Sequence, residues 1–242
     1  MAQLVVPFDR VPEPASGLAD GFAAQFGTTE GALAIAAVEL YRSPINDAPF
    51  GNGGVTGAGK AEVTTSAHLF LLVEAGTVVI ESEGELFCFH RGQSFVAGAG
   101  SRFGWSQEGD VRFAFSCCAD EPRPGKIVPV VQQGGRTVAA PYAADLLLSP
   151  VSPLQAGRCQ FSDSTGRWQV GVWNSQSFER KAIPFPKDEY MYIHAGAAEF
   201  QGPAGEQDVM PAGSSFVLGF GKLCTWKNEG LVDKTYCTVL NK

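Results

Sequence analysis

One glutamate, Glu189, and one cysteine, Cys224, occupy positions in the second half of this 242-residue chain where burial would decide their chemistry. Glu189 opens the strand-like run YMYIHAGAAEF that follows it. A carboxylate that faces a protein interior costs free energy unless it is hydrogen-bonded, paired or used, and burial would raise its pKa towards the range of a general acid or base. We therefore predict that Glu189 is an acid/base, the alternative being an ion pair with Arg180 or Lys181 at a loop mouth.

The neighbours of Glu189 predict an apolar cavity, because side chains alternate between two faces along a strand. Counting from Glu189 places Met191 on the same face, and counting from Cys224 places Trp226 beside the thiol. A cavity with aromatic walls and one carboxylate suits a small polar molecule. The predicted pocket residues are Glu189, Met191, Cys224, Trp226, Trp173 and Phe185, with Phe178 as a further wall residue.

The three histidines, His68, His90 and His194, are not placed to assist these groups. His194 follows Glu189 by five residues on one strand, so their side chains should point to opposite faces. Without a neighbouring histidine, Cys224 is expected to be a packed thiol rather than a nucleophile. The six cysteines contain no CxxC pair, and we expect reduced thiols of the kind found in cytoplasmic proteins.

Short strands are the elements that would position these residues. Apolar runs of strand length, such as HLFLLVEAGTVVIES and WQVGVW, alternate with turns, and the chain is rich in glycine (29) and proline (15). Helical periodicity is brief, at 16–26 and 144–148, and GNGGVTGAGK (51–60) is predicted to be a mobile loop. The predicted fold class is all-β.

A repeat divides the chain in two. Residues 92–105 read GQSFVAGAGSRFGW and residues 213–226 read GSSFVLGFGKLCTW, with seven of 14 positions identical. A repeat spaced at half the chain length predicts two domains of one fold. We assign residues 1–124 to an N-terminal domain with an N-terminal arm, 125–150 to a connector with one or two edge strands, and 151–242 to a C-terminal domain.

The repeated stretch resembles the second sequence motif of the cupin superfamily, Gly-x5-Pro-x-Gly-x2-His-x3-Asn. The end of the first cupin motif, Glu-x6-Gly, is matched by Glu189 and Gly196. The resemblance implies two double-stranded β-helix (jelly-roll) barrels in one chain, an arrangement called a bicupin. Within the superfamily, the sequence most resembles the branch that contains the ureidoglycine aminohydrolases and the ethanolamine-utilisation cupins. Positions of the second motif fall on Gly213, Gly219, Gly221, Cys224 and Asn228, and in the first copy on Gly92, Gly98, Gly100, Phe103 and Gln107.

The resemblance also shows where a metal would lie, since metal-binding cupins hold a divalent ion with two histidines and a glutamate from the first motif and a histidine from the second. Here the first two positions fall on Ile183 and Phe185, or on Ala182 and Pro184, and the last falls on Cys224. One carboxylate and one thiol are too few for a catalytic site, which usually has three protein ligands. We expect no metal or other cofactor in either barrel; the four positions of the first copy are Val63, Thr65, Leu69 and Phe103.

Two functions follow from this pattern. The first is a metal-independent bicupin that binds a small polar metabolite in its C-terminal barrel. The alternative is a hydrolase or related enzyme resembling (S)-ureidoglycine aminohydrolase, acting on a small nitrogenous or sugar-derived metabolite with Glu189 as its acid/base.

The net charge and the hydropathy pattern limit the kinds of partner that we expect. A net charge of −7 without a block of lysines or arginines argues against nucleic acid. No apolar run approaches the roughly 20 residues of a membrane helix, and no signal-peptide pattern opens the sequence. We expect a cytoplasmic protein with no membrane partner and, by analogy with cupin barrels that pair through a sheet face, a homodimer.

Overall fold

The computed structural model describes residues 4–8, 26–30, 35–122 and 125–241. They divide between an N-terminal unit, formed by residues 10–42 and 47–130, and a C-terminal unit, formed by residues 1–9, 43–46 and 131–242. Both units are built from antiparallel strands, which confirms the predicted all-β class. Within the described ranges, no helix has the length and apolar character needed to cross a membrane.

The N-terminal unit consists of two sheets. Numbered along the chain after β1 (Val5–Pro7), its strands are β2 (Phe26–Glu30), β3 (Ile35–Arg42), β4 (Pro49–Val55), β5 (Gly59–Thr65), β6 (His68–Ala75), β7 (Thr77–Ser82), β8 (Glu85–His90), β9 (Ser94–Ala97), β10 (Arg102–Gln107), β11 (Val111–Cys118) and β12 (Val128–Val130). Six strands form one sheet in the order β12-β9-β6-β11-β4-β3, and five form the other in the order β2-β5-β10-β7-β8.

Side chains fill the interior of the N-terminal unit. Three of the four positions that would face a metal in its barrel, Val63, Leu69 and Phe103, belong to a continuous buried core. At the fourth, the Thr65 hydroxyl donates a hydrogen bond to the carbonyl oxygen of Gly98 at 2.6 Å. These four side chains therefore contribute to packing in this barrel.

The predicted mobile loop at 51–60 is wrong, because residues 51–55 belong to strand β4 and residues 59–60 begin strand β5. Gly51 and Gly53 lie beneath the rings of Phe115 and Phe113, and a Cβ atom at either glycine would overlap the ring. The glycines are therefore needed for close packing in a buried strand. Glycine content alone suggested a loop because the aromatic rings lie on β11, distant in sequence.

The C-terminal unit repeats this arrangement. Its remaining strands are β13 (Thr137–Val138), β14 (Gln155–Ser162), β15 (Trp168–Ser175), β16 (Phe178–Pro184), β17 (Lys187–Ala195), β18 (Ala197–Gln201), β19 (Gln207–Pro211), β20 (Ser215–Leu218), β21 (Leu223–Asn228) and β22 (Val232–Leu240), with a 3-10 turn at Ala144–Leu146. The sheets have the orders β1-β20-β17-β22-β15-β14-β13 and β16-β21-β18-β19.

The two copies of the repeated sequence build equivalent strands and turns. In each unit the Ser-Phe-Val segment forms a strand, β9 or β20, beside the strand that carries the first motif, β6 or β17. The second glycine of each GxG pair takes a positive φ, 81° at Gly100 and 77° at Gly221, which a residue with a side chain adopts only at a cost. The repeated sequence therefore reflects a repeated strand-and-turn structure in the two units.

The segment 125–150 is shared between the units. Its first edge strand, β12, extends the six-stranded sheet of the N-terminal unit, and its second, β13, ends the seven-stranded sheet of the C-terminal unit. The short helix predicted at 144–148 is the 3-10 turn Ala144–Leu146. The helix predicted at 16–26 falls almost wholly outside the described residues, as does most of the N-terminal arm.

The described part of that arm belongs to the C-terminal unit. Strand β1 pairs with β20, Val6 opposite Val217. Val5 is buried in the C-terminal core, and the backbone amides of Leu4 and Val5 donate to the Asp208 carboxylate at 3.1 and 3.2 Å. The edge of the strand formed by the second Ser-Phe-Val segment is thereby covered.

Candidate functional site

A cavity of about 310 Å³ opens within the C-terminal unit. Aromatic and charged side chains form its wall together, a combination typical of small-molecule sites. Its lining is Tyr142, Gly157, Trp173, Arg180, Ile183, Phe185, Pro186, Lys187, Glu189, Trp226, Lys234 and Tyr236.

Two neighbouring strands supply the charged centre of this cavity. Strands β17 and β22 pair antiparallel, with Met191 opposite Tyr236 and Ile193 opposite Lys234. Opposed residues share a face of the sheet, so the glutamate at position 189 and the lysine at position 234 lie on the same face. That face is directed into the barrel.

Glu189 is buried, with 2% of its surface exposed, and both of its oxygens are paired. Lys187 donates to Oε1 at 3.1 Å and Lys234 donates to Oε2 at 3.2 Å. Burial is the largest influence on the Glu189 pKa and raises it, but the two ammonium groups together outweigh it and hold the pKa below its usual value. The expected raised pKa and the alternative pairing with Arg180 or Lys181 are therefore both wrong.

Lys234 is a buried lysine inside an aromatic box. Its ammonium lies 4.8 Å from the centre of the Trp173 ring and 4.7 Å from that of Trp226, and Nζ is 3.1 Å from the Met191 sulfur. Desolvation lowers its pKa to about 8, assisted by the charge of Lys187 and opposed by Glu189. The rings and the carboxylate stabilise a charge that the apolar surroundings disfavour.

Arg180 and Tyr142 extend the polar part of the wall. Arg180 is buried, and its Nη1 donates to the carbonyl oxygens of Lys181 and Cys224 at 3.1 and 3.0 Å. Burial is the largest influence on the pKa of Tyr142 and raises it, while Arg180 lowers it. Three cationic side chains, Arg180, Lys187 and Lys234, thus share the cavity with one carboxylate.

Trp226 contributes its ring to the cavity wall. The residue is 4% exposed, and its Nε1 atom is enclosed without a hydrogen-bond partner among the described residues. A buried N–H without an acceptor is costly. The cations in the wall favour a ligand with negatively charged oxygens.

Four of the six predicted pocket residues, Glu189, Trp226, Trp173 and Phe185, line the cavity. The other two do not. Met191 lies behind Lys234 in the core, and Cys224 is fully buried in the same core. Burial raises the pKa of the Cys224 thiol, an effect that Arg180 opposes. Phe178, the additional wall residue, stacks on Trp226 with ring centres 6.4 Å apart and belongs to the core.

The residues at the family's metal positions do not fit a divalent ion. Of the two alternative pairs, Ile183 and Phe185 line the cavity, and neither side chain has a donor atom. Cys224 offers a thiol with a raised pKa, and both oxygens of Glu189 accept hydrogen bonds from ammonium groups. Among the described residues, no three His, Cys, Asp or Glu side chains cluster as metal ligands would. A lysine ammonium supplies the positive charge beside Glu189.

None of the three histidines lies in this wall. His194 shares a hydrogen bond of 2.9 Å with the Thr235 hydroxyl. His68 is buried in the N-terminal unit; it accepts the Ala99 N–H at Nδ1, so Nε2 carries the proton directed to Asp120 at 2.9 Å. His90 is exposed on β8.

Comparisons with known proteins identify the fold. No family model and no curated protein matches the sequence, but solved structures match it. A DUF861-family protein of unknown function from Pseudomonas syringae pv. tomato superposes with a TM-score of 0.71 at 21% identity, over 83% of this chain and 85% of its own. A cupin 2 conserved barrel domain protein from Leptotrichia buccalis has a TM-score of 0.57 at 8% identity, over 88% and 97%.

This is the cupin fold. The cupin prediction drawn from the glycine motif is thereby confirmed. A variant of the salicylate 1,2-dioxygenase of Pseudoaminobacter salicylatoxidans is a further cupin-fold structure, with a TM-score of 0.55 at 11% identity over 79% of this chain and 71% of its own. Likeness at these identities establishes the fold alone.

Lys187, Lys234, Tyr142 and Tyr236 line the cavity but are not among the pocket residues predicted from the sequence. For Lys187 a local signal exists, because it precedes Glu189 by two positions on one strand and so shares its face. Alternation along the last strand likewise places Lys234 on one face with Val232 and Tyr236. The pairing register of β17 with β22, which brings Lys234 to Glu189, is not visible in the sequence.

Proposed function

We propose that this cupin is a metal-independent binding protein for a small anionic metabolite, held in the cavity of its C-terminal unit. The observation that carries the proposal is the excess of cationic over anionic groups in the wall: Arg180, Lys187 and Lys234 against Glu189. A carboxylate or similar anion would balance this charge.

Lys187 is the cation best placed to meet an entering anion. Its side chain keeps 28% of its surface exposed, whereas that of Lys234 keeps 5%. Its ammonium also lies 5.8 Å from the centre of the Tyr236 ring, on the cavity wall. The expected ligand is a molecule small enough for a cavity of about 310 Å³.

A panel of small carboxylic acids, each beside its uncharged primary amide, tests the proposal by isothermal titration calorimetry. We expect the acids to bind more tightly than the amides, and Lys187→Met to weaken acid binding roughly tenfold, the loss of one charge-assisted contact. Lys222→Met is the matched control, since it removes the same charge from an exposed position of the same unit. Equal binding of acids and amides would refute the assignment.

Metal independence is tested separately by elemental analysis. Protein purified without added metal should contain far less than one equivalent of manganese, iron, nickel or zinc. Binding of the acids should also persist after treatment with a chelator. Near one equivalent of any of these metals would overturn this part of the proposal.

A hydrolase resembling (S)-ureidoglycine aminohydrolase is the second candidate. It is favoured by the carboxylate of Glu189 in the cavity, which two lysines keep ionised and which would therefore act as a base towards water. The test is ammonia release from a ureido-substituted amino acid, with Glu189→Gln as the inactive variant. Equal release by both proteins would exclude Glu189 as the base.

A further inference from the structure

Lys234 has an environment that anion binding alone does not require. A cation for an anionic ligand is usually left partly in water, as Lys187 is, with 28% of its side chain exposed. The Lys234 side chain is 5% exposed, yet it forms part of the cavity wall. Its amine is therefore both desolvated and adjacent to the space that a ligand would fill.

The amine is set among groups that control its proton. Two residues of β17 have opposite effects on the Lys234 pKa: the Glu189 carboxylate raises it, and the Lys187 ammonium lowers it. From β16, the guanidinium of Arg180 shares the wall. With a pKa of about 8, roughly a tenth of the lysine is neutral amine at pH 7, and a neutral amine is nucleophilic.

A proton donor lies on the same strand. Tyr236 follows Lys234 by two positions on β22, so the two side chains share the cavity face. Burial, reinforced by nearby Cys159, raises the Tyr236 pKa and keeps its phenol protonated at neutral pH. Glu189 accepts a hydrogen bond from Nζ at 3.2 Å and holds the amine in place. The cavity thus contains a positioned amine and a proton donor.

We propose that Lys234 captures the carbonyl group of a small oxo acid as a Schiff base, with Arg180 and Lys187 holding the carboxylate of that acid. This inference rests on the proposed anion binding and narrows the ligand class to carbonyl-bearing acids. The ammonium first releases a proton to solvent water. The Nζ lone pair then forms the C–N bond, and the carbonyl π electrons move to oxygen, which takes a proton from Tyr236. The nitrogen, now an ammonium, gives one proton back to the tyrosinate, which leaves a neutral carbinolamine and a protonated Tyr236.

The carbinolamine formed in this way loses its hydroxyl group as water after a second protonation, while the nitrogen lone pair forms the C=N bond. The resulting iminium loses its N–H proton to give the neutral imine. The balance is one amine and one carbonyl giving one imine and one water, so no oxidant, reductant or metal is needed. Hydrolysis by the reverse sequence restores Lys234.

Borohydride trapping tests this step on the full chain. The protein is incubated with pyruvate or phenylpyruvate at about pH 7.5, reduced with sodium borohydride, and mapped by peptide mass spectrometry. We expect a reduced adduct at Lys234 at least about tenfold more abundant than at exposed Lys222, because an ordinary lysine is almost wholly protonated at that pH. Lactate, which has the carboxylate but no carbonyl, should suppress the labelling and give no adduct.

A variant and a binding measurement separate the outcomes. Lys234→Arg has no nucleophilic amine, so it should lose the adduct, whereas Lys222→Arg, the same change at an exposed position, should keep it. If pyruvate and lactate both raise the melting temperature while Lys234 is labelled no more than Lys222, carbonyl capture is wrong and anion binding stands. If neither acid shifts the melting temperature and no adduct forms, both proposals fail for this ligand class.

Discussion

The ammonium of Lys234 lies 3.2 Å from the Glu189 carboxylate, and neither side chain has more than 5% of its surface exposed. Two charges buried together lose hydration that their mutual attraction only partly returns, so other groups must stabilise them. Lys187 binds the second carboxylate oxygen, and the rings of Trp173 and Trp226 face the ammonium. The pair is therefore one connected unit, and its parts should not behave additively.

Removing one partner of the pair should cost more than removing both. We expect Glu189→Gln to lower the free energy of unfolding by about 3 kcal/mol at pH 7, because it leaves the buried ammonium without its carboxylate. The double variant Glu189→Gln/Lys234→Met should recover at least about 1 kcal/mol of that loss. Urea denaturation of wild type, the two single variants and the double variant measures these losses, and additive losses would show that the two groups are energetically independent.

The protonation state of Lys234 should be visible in tryptophan fluorescence. Two rings lie within 5 Å of the ammonium, at 4.8 Å for Trp173 and 4.7 Å for Trp226, so neutralising the amine changes their surroundings. We expect a step in emission centred near pH 8, the lowered pKa of the lysine. Lys234→Met should abolish this step, while Lys222→Met should leave it in place. A step that persists in Lys234→Met would belong to another group.

The same lowered pKa makes stability depend on pH. The folded protein releases the Lys234 proton near pH 8, whereas the unfolded chain keeps it until about 10.5, so between these values the unfolded state binds more protons. The contribution of this group to stability therefore rises with pH in that window, by up to about 3 kcal/mol. The difference in unfolding free energy between wild type and Lys234→Met, measured from pH 7 to 10, should shift in favour of wild type.

Close packing beneath the cavity should make Gly171 intolerant of a side chain. A Cβ atom at this position would lie 2.7 Å from the Tyr236 hydroxyl and would also overlap the backbone of β14. We expect Gly171→Ala to destabilise the protein by about 2 kcal/mol and to weaken anion binding. Gly230→Ala is the control, since a Cβ atom there meets nothing within 4 Å. Similar thermal shifts for the two variants would contradict the packing argument.

The first strand should contribute to the stability of the C-terminal unit. Val5 is fully buried in the same core as Phe216 and Leu218, so Val5→Ala should cost about 2 kcal/mol. Val138→Ala removes the same atoms from a residue that is 69% exposed, and should change stability by less than about 0.5 kcal/mol. Thermal unfolding of both variants checks the difference. Equal melting temperatures would show that β1 is not needed for stability.

The sequence supports the fold prediction better than the site prediction, and Glu189 shows why. Its inward direction follows from strand alternation, and the cavity position of Trp226 follows in the same way. Its electrostatic partner Lys234 is 45 residues away, and only the register of β17 against β22 brings the two together. The direction of the pKa shift of Glu189 depends on Lys187 and Lys234 together, so burial alone predicted the wrong sign.

Glycine-rich segments show a second limit. The glycines of the repeated motif were interpretable because two copies stand in the same pattern, and Gly100 and Gly221 do take positive φ values. Gly51 and Gly53 occur in no repeat, and composition alone favoured a loop. Their role is to make room for Phe113 and Phe115 on another strand. A contact between residues distant in sequence was needed to distinguish a close-packed strand from a loop.

Strand β1 and its partner β20 lie near opposite ends of the sequence, with Val6 paired to Val217. Closing so long a loop costs entropy before any contact forms, and ladders between such distant segments assemble slowly. During synthesis on the ribosome, β1 must remain without this partner until β20, more than 200 residues later, has emerged. The sheet of the C-terminal unit is therefore completed late. The rate at which β1 pairs with β20 sets how long the backbone hydrogen-bonding groups at the β20 edge remain unpaired.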